Sequence, residues 1–314
     1  MKISGFTFVR DAIRVDYPVV ESINSILPIV DEFIVNVGQS TDGTLELVRG
    51  IPSPKIRIVE SAWNTNLSSG GYVLAQQTNI ALFNCTGEWA IYLQADESIH
   101  ERDHPRLLEL MEKYKANDKV EGLLLQRVSF FGDYTKILNV HPLRSELVCR
   151  VVKPHRFVVS RGDALGFTVH PKYKESGRRI RVVDTGLDLF HYLDIRSAAK
   201  SKNFITQKSQ YWTQGSERNP VKEWQESYYT QFPRQFLIEY RGSHPAPMQN
   251  RIRDHSNELD LRSPLWRTTL TKKERQLQRR TKLIDIFGWR AGPGRNSRKI
   301  VATHRRDTGA FSVR

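Results

Sequence analysis

The chain has 314 residues, of which 39% are hydrophobic, and its 48 Lys and Arg against 34 Asp and Glu give a formal net charge of +14. An apolar share of this size builds a core, which excludes wholesale disorder, and the length fits one large α/β domain or two smaller ones. Residues 262–314 hold 15 Lys and Arg against 3 Asp and Glu, which leaves 33 against 31 in residues 1–261. The sequence therefore describes a nearly neutral body with a basic tail, and not a uniformly basic nucleic-acid-binding protein.

The cysteines and the apolar runs bear on where the protein works. Cys85 and Cys149 are too few for a disulfide framework or a four-ligand zinc site. The first apolar run is interrupted at once by Arg10 and Asp11, so it does not fit a signal peptide. No run of 18 apolar residues is present, and a membrane-spanning helix needs about that length. We therefore expect a cytoplasmic protein, on the side that holds nucleotides and activated metabolites.

The first hundred residues alternate between strand and helix patterns. The predicted strands are 2–9, 33–37, 55–59 and 89–93, and the predicted helices between them are 17–27, 44–49 and 71–84. Further along, the pattern predicts helices over 105–114, 195–212 and 272–287, strands over 122–131 and 147–152, and a short apolar run over 185–192. This alternation predicts an α/β fold with a mostly parallel central sheet and helices on both faces.

Polar clusters follow three of the predicted strands, namely Arg10-Asp11, Gln39–Asp42 and Gln94–Glu97. Ligands of parallel sheets bind where the carboxyl ends of strands meet, so we expect these clusters to converge. The second and third clusters also fit plain structural roles. Asp42 can cap the next helix, and Asp96 and Glu97 can be solvated turn residues. Adjacent acids at a strand end are costly unless a cation neutralises them, and Mg²⁺ or Mn²⁺ can bridge carboxylates to a diphosphate.

Three segments in order resemble the motifs of family-2 glycosyltransferases, which have the GT-A fold. They are Phe8-Val9-Arg10-Asp11, the stretch 31–44 with its Ser40-Thr41-Asp42-Gly43-Thr44 loop, and the stretch 87–97 ending in Gln94-Ala95-Asp96-Glu97. The similarity continues weakly to about residue 205. We therefore expect a GT-A domain over 1–205, an aromatic and helical extension over 206–261 that packs on it, and a basic, helical tail over 262–314.

The resemblance implies a nucleotide-diphosphate-sugar donor. By position in the motifs, the residues implied for its site are Arg10, Gln39, Asp42, Asn79, Gln94 and Asp96. Asp96 and His191 would also hold a divalent cation, Mn²⁺ or Mg²⁺, for which a neutral imidazole is a suitable ligand. The alternative for His191 is a histidine satisfied within the core. Gln94 stands where the family has its first metal-binding acid and supplies no charge, so a metal-weak or inactive variant stays open.

Inverting transfer requires a general base that removes the proton of the acceptor hydroxyl. The resemblance places this acid between the metal-binding strand and His191, where the candidates are Glu146, Asp163, Asp184 and Asp188. Asp163 is preferred because it lies in a glycine-containing loop. Beyond the histidine, the cations Arg196, Lys200 and Lys202 either stabilise the leaving diphosphate or form a solvated helix face.

The sequence thus predicts an inverting hexosyltransferase that uses a nucleotide-diphosphate sugar and a glycan or lipid-linked glycan as acceptor. The basic stretch 272–290 suits the anionic inner surface of a membrane, and it also suits docking on the body or binding to RNA. Two other functions stay open. One is a non-catalytic nucleotide-sugar-binding protein. The other is a nucleic-acid-binding protein that acts through its tail, which the near-neutral body disfavours.

Overall fold

The computed structural model describes residues 1–64, 66–67, 69–140, 146–170, 177–196, 198–211, 232–255, 261–287 and 298–304. The α-helices are α1 (Ala12–Val15), α2 (Val19–Ile26), α3 (Thr44–Arg49), α4 (Tyr72–Phe83), α5 (His104–Tyr114), α6 (Ala198–Ser209), α7 (Gln249–Arg253) and α8 (Lys272–Phe287). The strands are β1 (Ile3–Val9), β2 (Glu32–Gly38), β3 (Ile56–Ser61), β4 (Trp89–Tyr92), β5 (Glu97–Ser98), β6 (Gly122–Phe131), β7 (Asp133–Leu138), β8 (Leu147–Val152), β9 (Val158–Arg161), β10 (Gly166–Val169), β11 (Arg178–Asp194), β12 (Leu237–Glu239) and β13 (Arg298–Thr303).

The central sheet has the strand order β3-β2-β1-β4-β8-β6-β11-β10-β9. Strands β3, β2, β1 and β4 run parallel to one another, and β11 runs parallel to β6. Strand β8 is antiparallel to both of its neighbours, β4 and β6. The predicted α/β fold with a mostly parallel core of the sheet is therefore confirmed.

Strand β2 shows why the sheet is covered on both faces. Phe33, Val35 and Val37 pack into one apolar cluster with residues of α2 and α5, whereas Ile34 packs into a second cluster with residues of α4. Successive side chains of a strand point to opposite faces. A continuous apolar strand such as β2 is therefore stable only when helices cover both sides.

Strand β11 spans 17 residues and is therefore much longer than the apolar run 185–192 that the sequence showed. Its last part pairs antiparallel with the two-residue strand β5, and His191 lies opposite Glu97 in this register. The turn that follows β4 is thereby held against β11. This pairing brings the acidic cluster after β4 next to the histidine.

Segments beyond residue 205 also contribute strands to the sheet. Strand β12 pairs antiparallel with β7, and β13 pairs parallel with β11. The domain boundaries at residues 205 and 261 stay predictions. Among the helices of the described residues, none is both long enough and apolar enough to cross a membrane.

Candidate active site

The polar clusters after β1 and β4 contribute to one cavity of about 220 Å³ at the carboxyl edge of the parallel strands. Five of the predicted site residues line this cavity, namely Arg10, Gln94, Asp96, Asp163 and His191. Parallel strands end at the same edge, which explains why the first two clusters meet there. Asp163 and His191 reach it from the other half of the sheet.

Asp96 and His191 form the most buried polar pair of these five residues, at 4% and 6% exposure. The Nε2 atom of His191 lies 3.9 Å from Oδ2 of Asp96, and its Nδ1 atom lies 3.4 Å from Oγ of Ser129. Burial raises the pKa of Asp96, and the neighbouring Glu97 carboxylate raises it further. Burial lowers the pKa of His191 well below its usual value, and the Arg127 guanidinium adds to this effect. The imidazole is therefore neutral and able to act as a ligand.

Glu97 is held by two arginines below the cavity. Its carboxylate accepts hydrogen bonds from Arg150 at 2.7 and 2.9 Å and from Arg127 at 3.0 Å. Burial by itself would raise the pKa of Glu97, but the two guanidinium groups lower it to about 2. Its charge is therefore used within the protein, and Glu97 does not line the cavity.

The loop that carries Asp163 joins β9 to β10 and turns through two left-handed residues, Gly162 and Ala164. Asp163 accepts a hydrogen bond from the Leu165 amide at 3.3 Å and lines the cavity. The other three candidate acids are absent from its lining. Glu146 pairs with Arg127, and Asp184 accepts a bond from the Gly186 amide.

Trp63 and Tyr211 form an aromatic wall beside Arg10. Their rings are 5.2 Å apart, and the Arg10 guanidinium lies 5.5 Å from the Trp63 ring. All three side chains line the first cavity and also a second cavity of about 260 Å³, to which Asn64 contributes as well. A Cβ atom on Gly38 would lie 2.2 Å from Nε1 of Trp63, so only glycine leaves room for this indole.

A family model described as "Glycosyl transferase family 2" matches residues 18–133. Residues 18–133 are therefore similar to a family-2 glycosyltransferase domain. The matched segment includes Gln39, Asp42, Asn79, Gln94 and Asp96. Arg10, Asp163 and His191 lie outside the matched segment and reach the cavity through the fold.

Solved structures similar to this chain include S. aureus TarS 1-349 in complex with UDP, with 22% identity over 42% of this chain and 37% of that chain, at a TM-score of 0.33. S. aureus TarS gives 14% identity over 71% of this chain and 42% of that chain, at a TM-score of 0.38. A third similar structure is glucosyl-3-phosphoglycerate synthase from Mycobacterium tuberculosis in complex with Mn²⁺, UDP-glucose and phosphoglyceric acid. It gives 17% identity over 41% of this chain and 44% of that chain, at a TM-score of 0.29. The chain thus spans less than half the length of these three. No curated protein matches it.

Three of the predicted donor-site residues do not line either cavity. The Gln39 side chain is exposed, and its main-chain oxygen accepts a bond from Nε of Arg10 at 3.1 Å. Asp42 accepts bonds from Thr44 and from the Arg14 amide, and these lower its pKa although partial burial opposes them. Asp42 thereby ties the start of α3 to α1, but it is not the N-cap residue of α3, which is Gly43.

Asn79 bonds to the strand that precedes Asp163. Its Nδ2 atom donates to the Ser160 carbonyl at 3.1 Å, and its Oδ1 atom accepts from the Ser160 amide at 2.7 Å. The side-chain amide of Asn79 therefore fixes β9 against α4. A direct role for Gln39, Asp42 or Asn79 in donor binding stays a prediction.

Two of the cations after His191 anchor α6 and the segment before it on α1, the short helix that follows β1. Nε of Arg196 donates to the Val15 carbonyl at 2.7 Å, and Nζ of Lys200 donates to the Ile13 carbonyl at 2.6 Å. The Arg196 guanidinium also stacks on Phe204, 4.1 Å from its ring centre. Its charge still acts on the cavity, since Arg196 lowers the pKa of Asp96 against the effect of burial and of Glu97.

The side chains at the cavity meet the needs of a divalent cation only in part. Over the described ranges no group of three His, Cys, Asp or Glu side chains could hold a metal ion. Asp96 and His191 place two potential ligands beside a cavity, and burial shifts the pKa values of both side chains toward the neutral forms. Mg²⁺ is commonly held by one or two carboxylates, substrate phosphates and water. The two residues therefore fit a cation whose remaining ligands come from a bound diphosphate.

Trp63, Tyr211 and Arg127 line the cavity but were not predicted from the sequence. Trp63 carried a usable signal, because it follows β3 just as Arg10 follows β1 at the same sheet edge. Arg127 and Tyr211 lie inside the predicted strand 122–131 and the predicted helix 195–212, and they carry no comparable signal. Only the folded chain brings them to the cavity.

Proposed function

We propose that the chain transfers a hexosyl group, with inversion, from a nucleotide-diphosphate sugar to a hydroxyl of a glycan or lipid-linked glycan. The observation that carries this proposal is the cavity itself. It joins Asp96 and His191 to Asp163 at the strand edge of a family-2 glycosyltransferase domain. Neighbouring solved structures contain UDP or UDP-sugars, which makes such a donor the first to test.

The aromatic wall suggests how the donor is oriented. A nucleobase is flat and apolar on its faces, so it would stack in the cavity formed by Trp63, Tyr211 and the flat guanidinium of Arg10. The diphosphate would then enter the neighbouring cavity, which shares the same three side chains. Asp96 and His191 would hold the divalent cation there, which supplies charge stabilisation to the departing diphosphate.

Asp163 is proposed as the general base. Its carboxylate would take the proton of the acceptor hydroxyl while the oxygen forms a bond to the anomeric carbon. The bond between that carbon and the donor phosphate oxygen breaks at the same time, and its electron pair leaves with the nucleoside diphosphate. Attack from the face opposite the leaving group inverts the anomeric centre.

The test is a screen of UDP- and GDP-sugars that measures nucleotide release, with and without Mn²⁺. We expect release with at least one donor, faster when the acceptor is present, and loss of release in Asp96→Ala. Asp118→Asn is the control, because the Asp118 side chain is 83% exposed and does not line the cavity. Unchanged transfer by Asp96→Ala would overturn the site.

A non-catalytic nucleotide-sugar-binding protein is the second candidate, and Gln94 favours it because the amide lacks the charge of an acid. Calorimetry separates the two functions. Metal-dependent binding of a donor together with slow donor hydrolysis supports the enzyme. Tight binding of the same donor with no release of nucleotide supports the binding protein.

A peripheral position on a membrane is proposed from α8. Its exposed cations are Lys272, Lys273, Arg275, Arg279, Arg280 and Lys282. Leu283 is 55% exposed on the same helix, whereas Thr281 is buried. Residues 288–290 of the predicted basic stretch lie outside the described residues. We expect binding to vesicles with anionic lipid and none to neutral vesicles, weakened by salt. Binding to RNA instead would favour the nucleic-acid role.

A further inference from the structure

Arg127 is a buried cation that lines the first cavity together with Asp96 and His191. Its side chain comes from the middle of β6 and is only 9% exposed. The structure pairs one terminal nitrogen with Glu97 at 3.0 Å and the other with Glu146 at 2.8 Å. Its Nε atom is buried and has no hydrogen-bond partner within the described part of the chain.

The register of β6 and β11 places Arg127 on the same side of the sheet as the histidine. Arg127 lies opposite Leu189, and Ser129 lies opposite His191. Residues two apart on a strand share a face, so the guanidinium and the imidazole point to the same side. Burial lowers the pKa of His191 most strongly, and the positive charge of Arg127 lowers it further.

The charges around the cavity favour an anionic ligand. Arg10, Arg127 and Lys208 line it, against the two acids Asp96 and Asp163. Below it, Glu97 is shared by Arg127 and Arg150, so one buried acid compensates only one of two buried cations. A buried charge without full compensation is unfavourable until an opposite charge enters. The Glu146 carboxylate compensates less, because its side chain is 31% exposed and screened by water.

We propose that Arg127 binds the diphosphate of the donor directly, so that a nucleoside diphosphate binds this chain even without a divalent cation. The inference rests on the proposed function and assigns it a further binding residue. A guanidinium matches phosphate oxygens with paired N–H donors and stays charged at any pH of interest. Arg127 thereby supplies positive charge at the site where Gln94 provides no acid to hold a metal.

The test is calorimetry of UDP and GDP with the full chain, in EDTA and in Mn²⁺, at fixed ionic strength. We expect the native protein to bind at least one of the two in EDTA. Arg127→Gln should weaken that binding by about tenfold or more, which corresponds to loss of one charged hydrogen-bonding partner. Arg127→Lys should retain part of it, because lysine keeps the charge and loses the planar pair of donors.

The matched control is Arg181→Gln. Arg181 also pairs with a fully buried glutamate, Glu121, at 2.7 Å, and it does not line the cavity. The Arg181→Gln variant should leave the affinity for UDP and GDP unchanged. A second variant, Glu146→Gln, keeps Arg127 in place and removes a competing acid, so it should tighten binding in EDTA several-fold. This variant preserves the test if Arg127→Gln fails to fold.

Two results would overturn the inference while leaving the proposed function intact. They are native binding that appears only with Mn²⁺, and an Arg127→Gln protein that binds in EDTA as tightly as the native chain. Absence of any nucleoside diphosphate binding, with and without Mn²⁺, would overturn both proposals together.

Discussion

The Nε2 atom of His191 lies 3.9 Å from Oδ2 of Asp96, although the two residues are far apart in the sequence. Strand pairing creates this contact, because β5 is antiparallel to β11 and the Tyr192 amide donates to the Asp96 carbonyl at 2.8 Å. Both side chains are nearly buried. A ligand that enters the cavity therefore meets both at once.

Removal of either ligand should abolish the metal-dependent part of donor binding. We expect Asp96→Ala and His191→Ala to lower the rate of transfer by about 100-fold or more, since a bound metal contributes several kcal/mol to charge stabilisation. The rate is measured as nucleotide release over a Mn²⁺ titration. A native Mn²⁺ dependence in both variants would contradict this assignment.

Asp163→Asn should lower kcat by about 10²- to 10⁴-fold and leave donor affinity unchanged, because a general base acts only on the acceptor proton. Steady-state transfer and calorimetry with the donor separate the two effects. Asp184→Asn is the matched control, because the asparagine oxygen can still accept the bond from the Gly186 amide. Equal loss in both variants would remove Asp163 from the mechanism.

Gly38→Ala should weaken nucleotide binding without unfolding the domain. The new Cβ would lie 2.2 Å from Nε1 of Trp63 and would displace the indole from the aromatic wall. Quenching of tryptophan fluorescence by UDP or GDP gives the affinity, which we expect to fall by about tenfold. Gly50→Ala is the control, because its nearest neighbours would be 3.4 Å away. Equal affinities of the two variants would contradict the role of Trp63.

Acid should destabilise the fold through Glu97. Its pKa is about 2 in the folded state, below its ordinary value of 4.5. The contribution to stability is therefore complete above about pH 5 and is lost as the pH falls toward 2, at a cost on the order of 3 kcal/mol. Glu32 and Glu121 have similarly lowered pKa values and act in the same range.

Urea unfolding at several pH values from 5 to 2 measures this loss. We expect Glu97→Gln to flatten the dependence relative to the native protein. Glu60→Gln should leave the pH dependence of stability unchanged, because the Glu60 side chain is 61% exposed. Identical pH profiles of the native protein and Glu97→Gln would show that Glu97 does not carry the effect.

Local sequence patterns predicted the bounds of several strands and helices correctly and failed to predict other strands. The predicted strands 122–131 and 147–152 and the helix 44–49 coincide with β6, β8 and α3 residue for residue. Strands β9, β10, β12 and β13 were not predicted as separate elements. They are short, and their pairing partners decide their conformation more than their own residues do.

The sequence by itself determined the alternation of strands and helices, the nearly neutral body with its basic tail, and the similarity of residues 18–133 to family-2 glycosyltransferases. These follow from periodicity, composition and order along the chain, which are local properties. Only the tertiary structure decided which charges are used internally. Glu97 is bound by Arg150 and Arg127, while Asp96, the next residue, faces the cavity. The register between strands distant in the sequence sets these partners, and no local pattern encodes it.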